Sequence, residues 1–191
     1  GIVRFVQRCR EEGIQPIIGA RVRNTHFDGL LIAQNMRGYS QISSLISGVH
    51  LHEGFDVKRE IIKKGAKNFF VITRDRDLLS EKRKGVFAEI NVLRRDYMQD
   101  YSFARKRDVP PVFISPLYFL KKEDYRLHLL LRAVFHNKKL SSLAPGEAQS
   151  EFACYRDAKE IEAEYSFMKD ALRNTGLIAE KSRFEFEMGA P

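Results

Sequence analysis

Val112-Phe-Ile-Ser-Pro-Leu-Tyr-Phe-Leu120 is followed directly by Lys121-Lys-Glu-Asp-Tyr-Arg-Leu-His128. A short β-rich run, a loop, an acidic helix start and then apolar residues at helical spacing are typical of a strand that leads into a helix. The same alternation recurs along the chain, and it predicts an α/β fold in which helices cover a parallel sheet. Periodicity alone does not distinguish an open sheet from a barrel.

Apolar periodicity and turn residues place the other elements around this stretch. Predicted strands cover 15–22, 29–33, 69–73, 86–90, 112–115 and 184–186. Predicted helices cover 2–12, 42–49, 57–64, 94–106 and 122–135, and the charged stretch 155–181 predicts two more with a break near 174–176. No Gly-rich phosphate loop follows a predicted strand, so the sequence does not support a nucleotide-binding sheet.

Length and composition predict a chain with room for one good core. The sequence has 191 residues, of which 43% are hydrophobic, and no apolar run approaches the ~20 residues needed to span a bilayer. We therefore expect no membrane partner, and no signal peptide is visible. Cys9 and Cys154 form neither a metal-ligand spacing nor a disulfide framework, which favours a reducing, cytoplasmic compartment.

Positive charge is concentrated in one part of the sequence. The net charge is +8, and residues 56–107 contain 15 Lys or Arg against 8 Asp or Glu. Such a block could contact the phosphates of a nucleic acid, but no aromatic interleaving or base-reading motif accompanies it. Solvated helix faces are therefore the simpler interpretation. The candidate nucleic-acid-binding residues are Lys82, Arg83, Lys84, Arg94, Arg95, Arg105, Lys106 and Arg107.

Short segments spread over nearly the whole chain resemble the PHP (polymerase and histidinol phosphatase) domain of the bacterial DNA polymerase III α subunit family, of the replicative or error-prone type. In chain order they are GIQPIIG at 13–19, LLIAQN at 30–35, GY at 38–39 with LIS at 45–47, SPLYFL at 115–120, NT at 174–175 with IA at 178–179, and FEF at 184–186. Each segment is weak alone, and their common order carries the resemblance.

The resemblance implies a distorted seven-stranded (βα) barrel at the N-terminal end of a much longer polymerase chain. The family's first strands carry a His-x-His and a Thr-Asp-His motif, which would both fall before Gly1, so an N-terminally truncated barrel is implied here. On this basis we expect residues 1–139 to form the PHP-like barrel portion. We expect residues 140–191 to form a C-terminal loop and helical extension that leads toward the polymerase core.

The resemblance also implies where metal ligands would lie, and this chain lacks most of them. Where the family has an acid and a histidine after the strand quoted first, this chain has Pro116 and Tyr118. An acidic ligand of the family falls at Arg21, and Asp75 lies about where a cysteine or other ligand falls. Proline offers no donor atom, tyrosine is a poor ligand near neutral pH, and arginine repels a cation. We therefore expect no cofactor, and we hypothesise that Arg21 pairs with Asp75.

Histidines offer a second and weaker possibility for metal binding. His50-Leu-His52 is the only His-x-His in the sequence, and Glu53 lies beside it. The motif follows a predicted helix and precedes Gly54, so we expect surface histidines in a loop rather than a strand with both rings on one face. His128 lies in an otherwise apolar helix, where we expect a hydrogen-bonded structural histidine.

Three functions are compatible with these patterns. The first is a non-catalytic PHP segment of a DNA polymerase III α-type chain, a DNA-directed DNA polymerase, with a structural and subunit-docking role in DNA replication. By resemblance its partners would be the rest of that chain, a proofreading exonuclease subunit and DNA. The second is a PHP phosphoesterase or exonuclease that depends on a divalent metal and is completed by residues upstream. The third is a free-standing nucleic-acid-binding module.

Overall fold

Five strands form one mixed sheet in the computed structural model, which describes residues 1–186. In chain order they are β1 (Gly19–Arg23), β2 (Asp28–Ala33), β3 (Phe69–Thr73), β4 (Val86–Asn91) and β5 (Pro111–Ile114), and they lie side by side in the same order. The pairs β1–β2 and β2–β3 are antiparallel, whereas β3–β4 and β4–β5 are parallel.

Eight α-helices accompany the strands within residues 1–186. They are α1 (Ile2–Glu11), α2 (Met36–Leu51), α3 (Val57–Lys64), α4 (Arg76–Ser80), α5 (Tyr97–Arg107), α6 (Tyr125–Phe135), α7 (Ala158–Glu164) and α8 (Lys169–Lys181). Asn35, Asp56, Asp75 and Asp157 begin four of them by accepting a hydrogen bond from a backbone N–H of the first turn. In this part of the chain no helix is long and apolar enough to cross a bilayer.

The expectation of a fully parallel sheet is wrong for β1 to β3, and the connections explain why. Only residues 24–27 join β1 to β2, which is too short for a crossover, so the two strands form a hairpin. The side chain of Asn24 holds its turn by accepting hydrogen bonds from the N–H groups of His26 and Phe27. Two helices, α2 and α3, separate β2 from β3. Because the two helices together bring the chain back to the end of the sheet at which β2 stops, β3 runs antiparallel to β2.

The seven-stranded barrel implied by the resemblance is not seen in residues 1–186, where the sheet is open and β1 and β5 are its edges. The outer edge of β5 is covered by α8. Asn174 Nδ2 donates to the carbonyl oxygen of Pro111 at 2.8 Å, and Thr175 Oγ1 lies 2.9 Å from that of Phe113. Helix side chains therefore satisfy the carbonyl groups that a further strand would otherwise bind.

Several predicted boundaries agree with the structure and others do not; α2 begins at Met36 rather than at 42, and α6 begins at Tyr125 rather than at 122. The helix at 57–64 and the strand at 69–73 are confirmed at both ends. β1 begins at Gly19 rather than at 15, and α5 begins at Tyr97 rather than at 94. The break in the 155–181 stretch lies between Glu164 and Lys169 rather than near 174–176, because Tyr165 and Met168 turn into the core there.

The terminal strand predicted at 184–186 does not form. Its backbone carbonyl groups accept side-chain donors instead, from Gln15 Nε2 to Phe184 at 3.3 Å and from Arg10 to Phe186 at 2.8 Å. The ring of Phe186 packs edge-on against Tyr39 at 5.0 Å between centroids. This segment therefore anchors against α1 and α2. The predicted end of the strand at Gly189 and Pro191 lies outside the described residues.

The core lies mainly on one face of the sheet. There, strand residues such as Leu31 and Val71 pack against apolar side chains of α2 to α5. The opposite face carries a smaller cluster, in which Phe70 and Phe87 meet Ile178 of α8. Because side chains alternate along a strand, Glu89 lies on this second face, two residues after Phe87.

We predict that the α8 cover of β5 contributes measurably to stability. Thr175→Val keeps the shape of the side chain but removes its donor to Phe113, and it should lower the free energy of unfolding by about 1 kcal/mol. Combined with Asn174→Ala, the loss should reach about 2 kcal/mol in urea unfolding followed by circular dichroism. Arg173→Ala, an exposed change on the same helix, is the control. A double variant as stable as this control would contradict the role assigned to α8.

Candidate functional site

The carboxyl ends of β1, β3, β4 and β5 and the start of β2 meet around a cleft of about 850 Å³, which we call the mouth cleft. Its lining includes Arg21, Asp28, Arg74, Asp75, Glu89, Asn91, Arg94, Pro116 and Tyr118. The four positions that the resemblance assigned to metal ligands, Arg21, Asp75, Pro116 and Tyr118, thus lie in one site.

A two-pronged ion pair between Arg21 and Glu89 occupies the inner part of the mouth cleft. The two terminal nitrogens of Arg21 each donate to one carboxylate oxygen of Glu89, both at 3.1 Å. Glu89 is only 2% exposed, whereas the Arg21 side chain is 37% exposed. Burial by itself would lower the pKa of Arg21, but hydrogen bonds and attraction to Glu89 and Asp28 outweigh it and raise that pKa. The guanidinium is a permanent positive charge in the cleft.

A second carboxylate binds the same arginine from the rim. Asp28 accepts from Arg21 Nε and from Arg23 Nε, both at 2.9 Å. Asp28 opens β2 and pairs with Arg23 across the hairpin, so the hairpin register brings the three side chains together. Asp28 therefore holds Arg21 from the side opposite to Glu89.

Arg74, which directly follows β3, carries a separate pair of carboxylates. Its Nε donates to Asp100 at 2.6 Å, and a terminal nitrogen donates to Asp96 at 2.7 Å. Hydrogen bonds from Arg94 and Arg74 lower the pKa of Asp96 to about 2. Asp96 consequently stays ionised at any ordinary working pH and ties the end of β3 to the start of α5.

Asp75 does not pair with Arg21, which corrects the hypothesis drawn from the sequence. Its Oδ1 lies 2.9 Å from Lys58 Nζ and also accepts from the backbone N–H of Leu78, which makes Asp75 the N-cap of α4. Burial would lower the pKa of Lys58, but hydrogen bonds to Asp75 and Asp77 raise it. Arg21 instead pairs with Glu89 of β4.

Pro116 and Tyr118 lie in the loop after β5, on the far wall of the mouth cleft. The backbone N–H of Tyr118 donates to the carbonyl oxygen of Ala153 at 2.9 Å, and its ring lies 6.1 Å from that of His128. This loop is therefore fastened to residues 144–154, which we call the strap. The phenol is half exposed, and neither residue presents a carboxylate or an imidazole to the cleft.

The cleft carboxylates are already bound to cationic side chains. Asp28 and Glu89 bind Arg21, and Asp75 binds Lys58. Among the described residues, no three His, Cys, Asp or Glu side chains converge in a way that could hold a metal ion. A divalent ion in the mouth cleft would have to displace covalently attached guanidinium or ammonium groups from each carboxylate.

Comparison with known proteins identifies the family of the chain. The model of the family described as PHP domain matches residues 1–107. The chain belongs to the PHP domain family. The mouth cleft of this PHP domain contains the four positions that the resemblance assigned to ligands.

Three relatives are all DNA polymerase III subunit alpha proteins. The alignment with that of Halalkalibacterium halodurans is 23% identical over 221 residues and covers 100% of this chain and 20% of the relative. For Haemophilus influenzae the values are 23% over 232 residues, with 99% and 19% covered, and for Pseudomonas aeruginosa 21% over 226 residues, with 98% and 19%. The chain spans about a fifth of the length of these relatives.

The remaining histidine candidates lie outside the mouth cleft. His50 is in the last turn of α2 and not in a loop as expected, while His52 follows the helix as its C-cap. His128 is a hydrogen-bonded structural histidine, as predicted, because its Nε2 accepts the backbone N–H of Gln149 in the strap at 3.0 Å. This bond places the ring proton of the neutral form on Nδ1.

The basic block is continuous in the sequence but divided in the structure. The group that precedes β4 or ends α5 consists of Lys82, Arg83, Lys84, Arg105, Lys106 and Arg107. Lys82 Nζ lies 3.8 Å from Asp108, which joins the two parts of this group. Arg94 and Arg95 follow β4, a strand of six residues that separates them from Lys84 by about 20 Å. Nucleic-acid binding by either group stays a prediction.

Glu89 is the site residue that sequence reasoning missed. It is the single acid in the apolar run Val86-Phe-Ala-Glu-Ile90. A carboxylate in such a run requires a buried cation or a metal, because an unpaired charge is costly inside a protein. That signal was present in the sequence, but the partner, Arg21, is 68 residues away.

Arg21 should matter more for stability than its neighbour Arg23. Arg21→Met leaves the Glu89 carboxylate buried without its partner and should lower the free energy of unfolding by about 2–4 kcal/mol, less than for a fully buried pair because Arg21 is partly exposed. Adding Glu89→Leu should recover most of that loss. Arg23→Met breaks only a rim pair and should cost under about 1 kcal/mol in the same urea titration. Equal losses for Arg21→Met and Arg23→Met would contradict this assignment.

His128 should make stability depend on pH near neutrality. Burial, and secondarily the positive charge of Arg132, lower the pKa of His128 below its ordinary value of 6.5. The contribution of His128 to the free energy of unfolding is therefore complete above pH 6.5. It is lost as the pH falls from there through the lower pKa of the folded state, because the unfolded chain takes up the proton first. Urea unfolding between about pH 7.5 and pH 5 measures it.

The control for this pH dependence is a histidine elsewhere on the surface. His128→Gln should flatten the fall in stability, whereas His26→Gln, at the exposed hairpin, should leave it unchanged. An unaltered slope in His128→Gln would show that His128 is not the source of the pH dependence.

Proposed function

We propose that this PHP domain is non-catalytic and serves as a structural and docking element of a DNA polymerase III α-type protein. The observation that carries the proposal is the two-pronged pair between Arg21 and the buried Glu89. A metal-dependent phosphoesterase needs ligands that are free to hold divalent ions, which activate water and neutralise phosphate charge. In the mouth cleft, the guanidinium of Arg21 instead neutralises the carboxylate of Glu89.

The same cations explain how the strand ends stay together without a metal. Carboxylates that converge at the edge of a sheet repel one another unless positive charge lies between them. Arg21 lies between Glu89 and Asp28, and Arg74 lies between Asp96 and Asp100. Each arginine therefore bridges two elements in the way that a bound cation would, and unlike a metal it cannot dissociate.

The setting of the domain is also a proposal. The relatives are DNA polymerase III subunit alpha proteins of about five times this length, and we infer that the domain works within a longer DNA-directed DNA polymerase in the bacterial cytoplasm. In that setting residues 1–139 are the PHP portion, and residues 140–191 lead toward the polymerase core. The rest of the chain, a proofreading exonuclease subunit and DNA are the partners that the resemblance supports.

One observation favours the alternative, a phosphoesterase or exonuclease that uses a divalent metal and further ligands. Three carboxylates, Asp28, Asp75 and Glu89, do line the mouth cleft. Arg21 weighs against this alternative because it occupies two of them at once. The proposal and its alternative therefore differ in what the cleft does with an added divalent ion.

Metal loading and hydrolysis test the proposal directly. Protein incubated with Mn²⁺, Zn²⁺ or Mg²⁺ and then desalted should retain no stoichiometric metal by elemental analysis. It should release no phosphate from p-nitrophenyl phosphate and no nucleotide from single-stranded DNA. The matched control is Asp75→Asn, in which asparagine still caps α4. A metal-dependent activity that disappears in Asp75→Asn would overturn the proposal in favour of a phosphoesterase.

A further inference from the structure

Helix α6 presents an apolar stripe to solvent. Its members are Leu127, Leu130, Leu131, Val134 and Phe135, and each is between 48% and 73% exposed. The spacing of these residues is that of the face which an amphipathic helix normally buries. Large contiguous apolar patches are uncommon on soluble proteins and mark interaction sites. The α6 stripe therefore needs a partner.

The orientation of α6 is set by contacts on its other side. Ala133 is buried, and His128 accepts the backbone N–H of Gln149 in the strap. Arg132 Nε donates to the backbone carbonyl oxygen of Glu147, also in the strap. These polar contacts fasten one side of α6 to the protein and direct the α6 stripe outward.

The charges beside the α6 stripe are mainly positive, and the exceptions are Glu123 and Asp124, which directly precede the helix. The helix itself, Tyr125–Phe135, contains two arginines and no carboxylate. Arg126 is exposed on the helix, and Lys121 and Lys139 flank it at either end. Within residues 1–186 none of these three side chains has a carboxylate within 4 Å in the structure. A partner therefore meets an apolar stripe with unpaired cations beside it.

We propose that the α6 stripe docks an amphipathic helix of a separate partner protein. The apolar face of that helix is flanked by Asp and Glu. Helices lay apolar faces against one another with anchors at i, i+3, i+4 and i+7, and the flanking charges select the partner. A second copy of this chain fits less well. Pairing two α6 helices would place Arg126 of each copy against a helix that contains no carboxylate.

This surface is separate from the mouth cleft. No residue of the α6 stripe lines the cleft, so docking does not depend on whether the cleft binds a metal. The docking role proposed above is thereby assigned to the α6 stripe. A metal assay and a helix-binding assay report on different residues, and either can fail without the other.

A pair of designed peptides provides the test. The first is a helix of about 20 residues with leucines at i, i+3, i+4 and i+7 and glutamates beside them. The second replaces each glutamate by lysine. We expect the acidic peptide to bind with a Kd on the order of 10 μM by fluorescence anisotropy and the basic peptide to bind at least about tenfold more weakly. Higher salt should weaken the acidic peptide's binding.

Variants of the protein locate the binding. Val134→Asp should weaken the acidic peptide's binding by at least about tenfold and should still fold, because Val134 is largely exposed. Arg126→Glu should reduce the difference in Kd between the acidic and the basic peptide. The matched control is Leu51→Asp, an equally exposed position at the end of α2, which should leave binding unchanged.

Three results would overturn the proposal. The first is equal binding of the acidic and basic peptides, and the second is no binding of either. The third is a dimer in light scattering that Val134→Asp converts to a monomer, which would assign the α6 stripe to a second copy of this chain.

Discussion

Glu89 lies in the middle of a buried strand, and a carboxylate there is stable only beside a matching positive charge. Arg21 supplies that charge from β1, which is three strand positions away across β2 and β3. Three strand spacings amount to about 14 Å, and the two side chains together bridge that distance. The pair therefore ties the edge strand β1 directly to β4 on the second face of the sheet, in the inner part of the mouth cleft.

The other charged groups of the cleft follow the same arrangement. Asp28 holds Arg21 from the rim, Arg74 joins Asp96 to Asp100, and Lys58 binds Asp75. Converging strand ends bring acids together, and each acid is matched by a cation that belongs to the chain. The three carboxylates that line the mouth cleft, Asp28, Asp75 and Glu89, are each bound to a cation of the chain. This balance of charge connects the architecture to the proposed non-catalytic role.

Two surfaces of the domain differ in whether the rest of the protein covers the groups that could bind a partner. At the β5 edge, Asn174 and Thr175 of α8 lie against the outward carbonyl groups, so the strand offers little to a further strand. On α6, by contrast, the strap satisfies the polar side of the helix and leaves the apolar stripe uncovered. Association through this part of the domain is therefore expected on a helix face and not at the sheet edge.

Local structure was determined by the sequence itself. Apolar periodicity and capping residues act over a few positions, so the bounds of α3 and β3 and the strand-to-helix character of 112–135 could be predicted. The segments that resemble the PHP domain were equally local, and the family that they indicated is confirmed. Strand direction and ion-pair partners depend on how distant segments pack. The sequence suggested Asp75 as the partner of Arg21, whereas the packing of the strands pairs Arg21 with Glu89, 68 residues away.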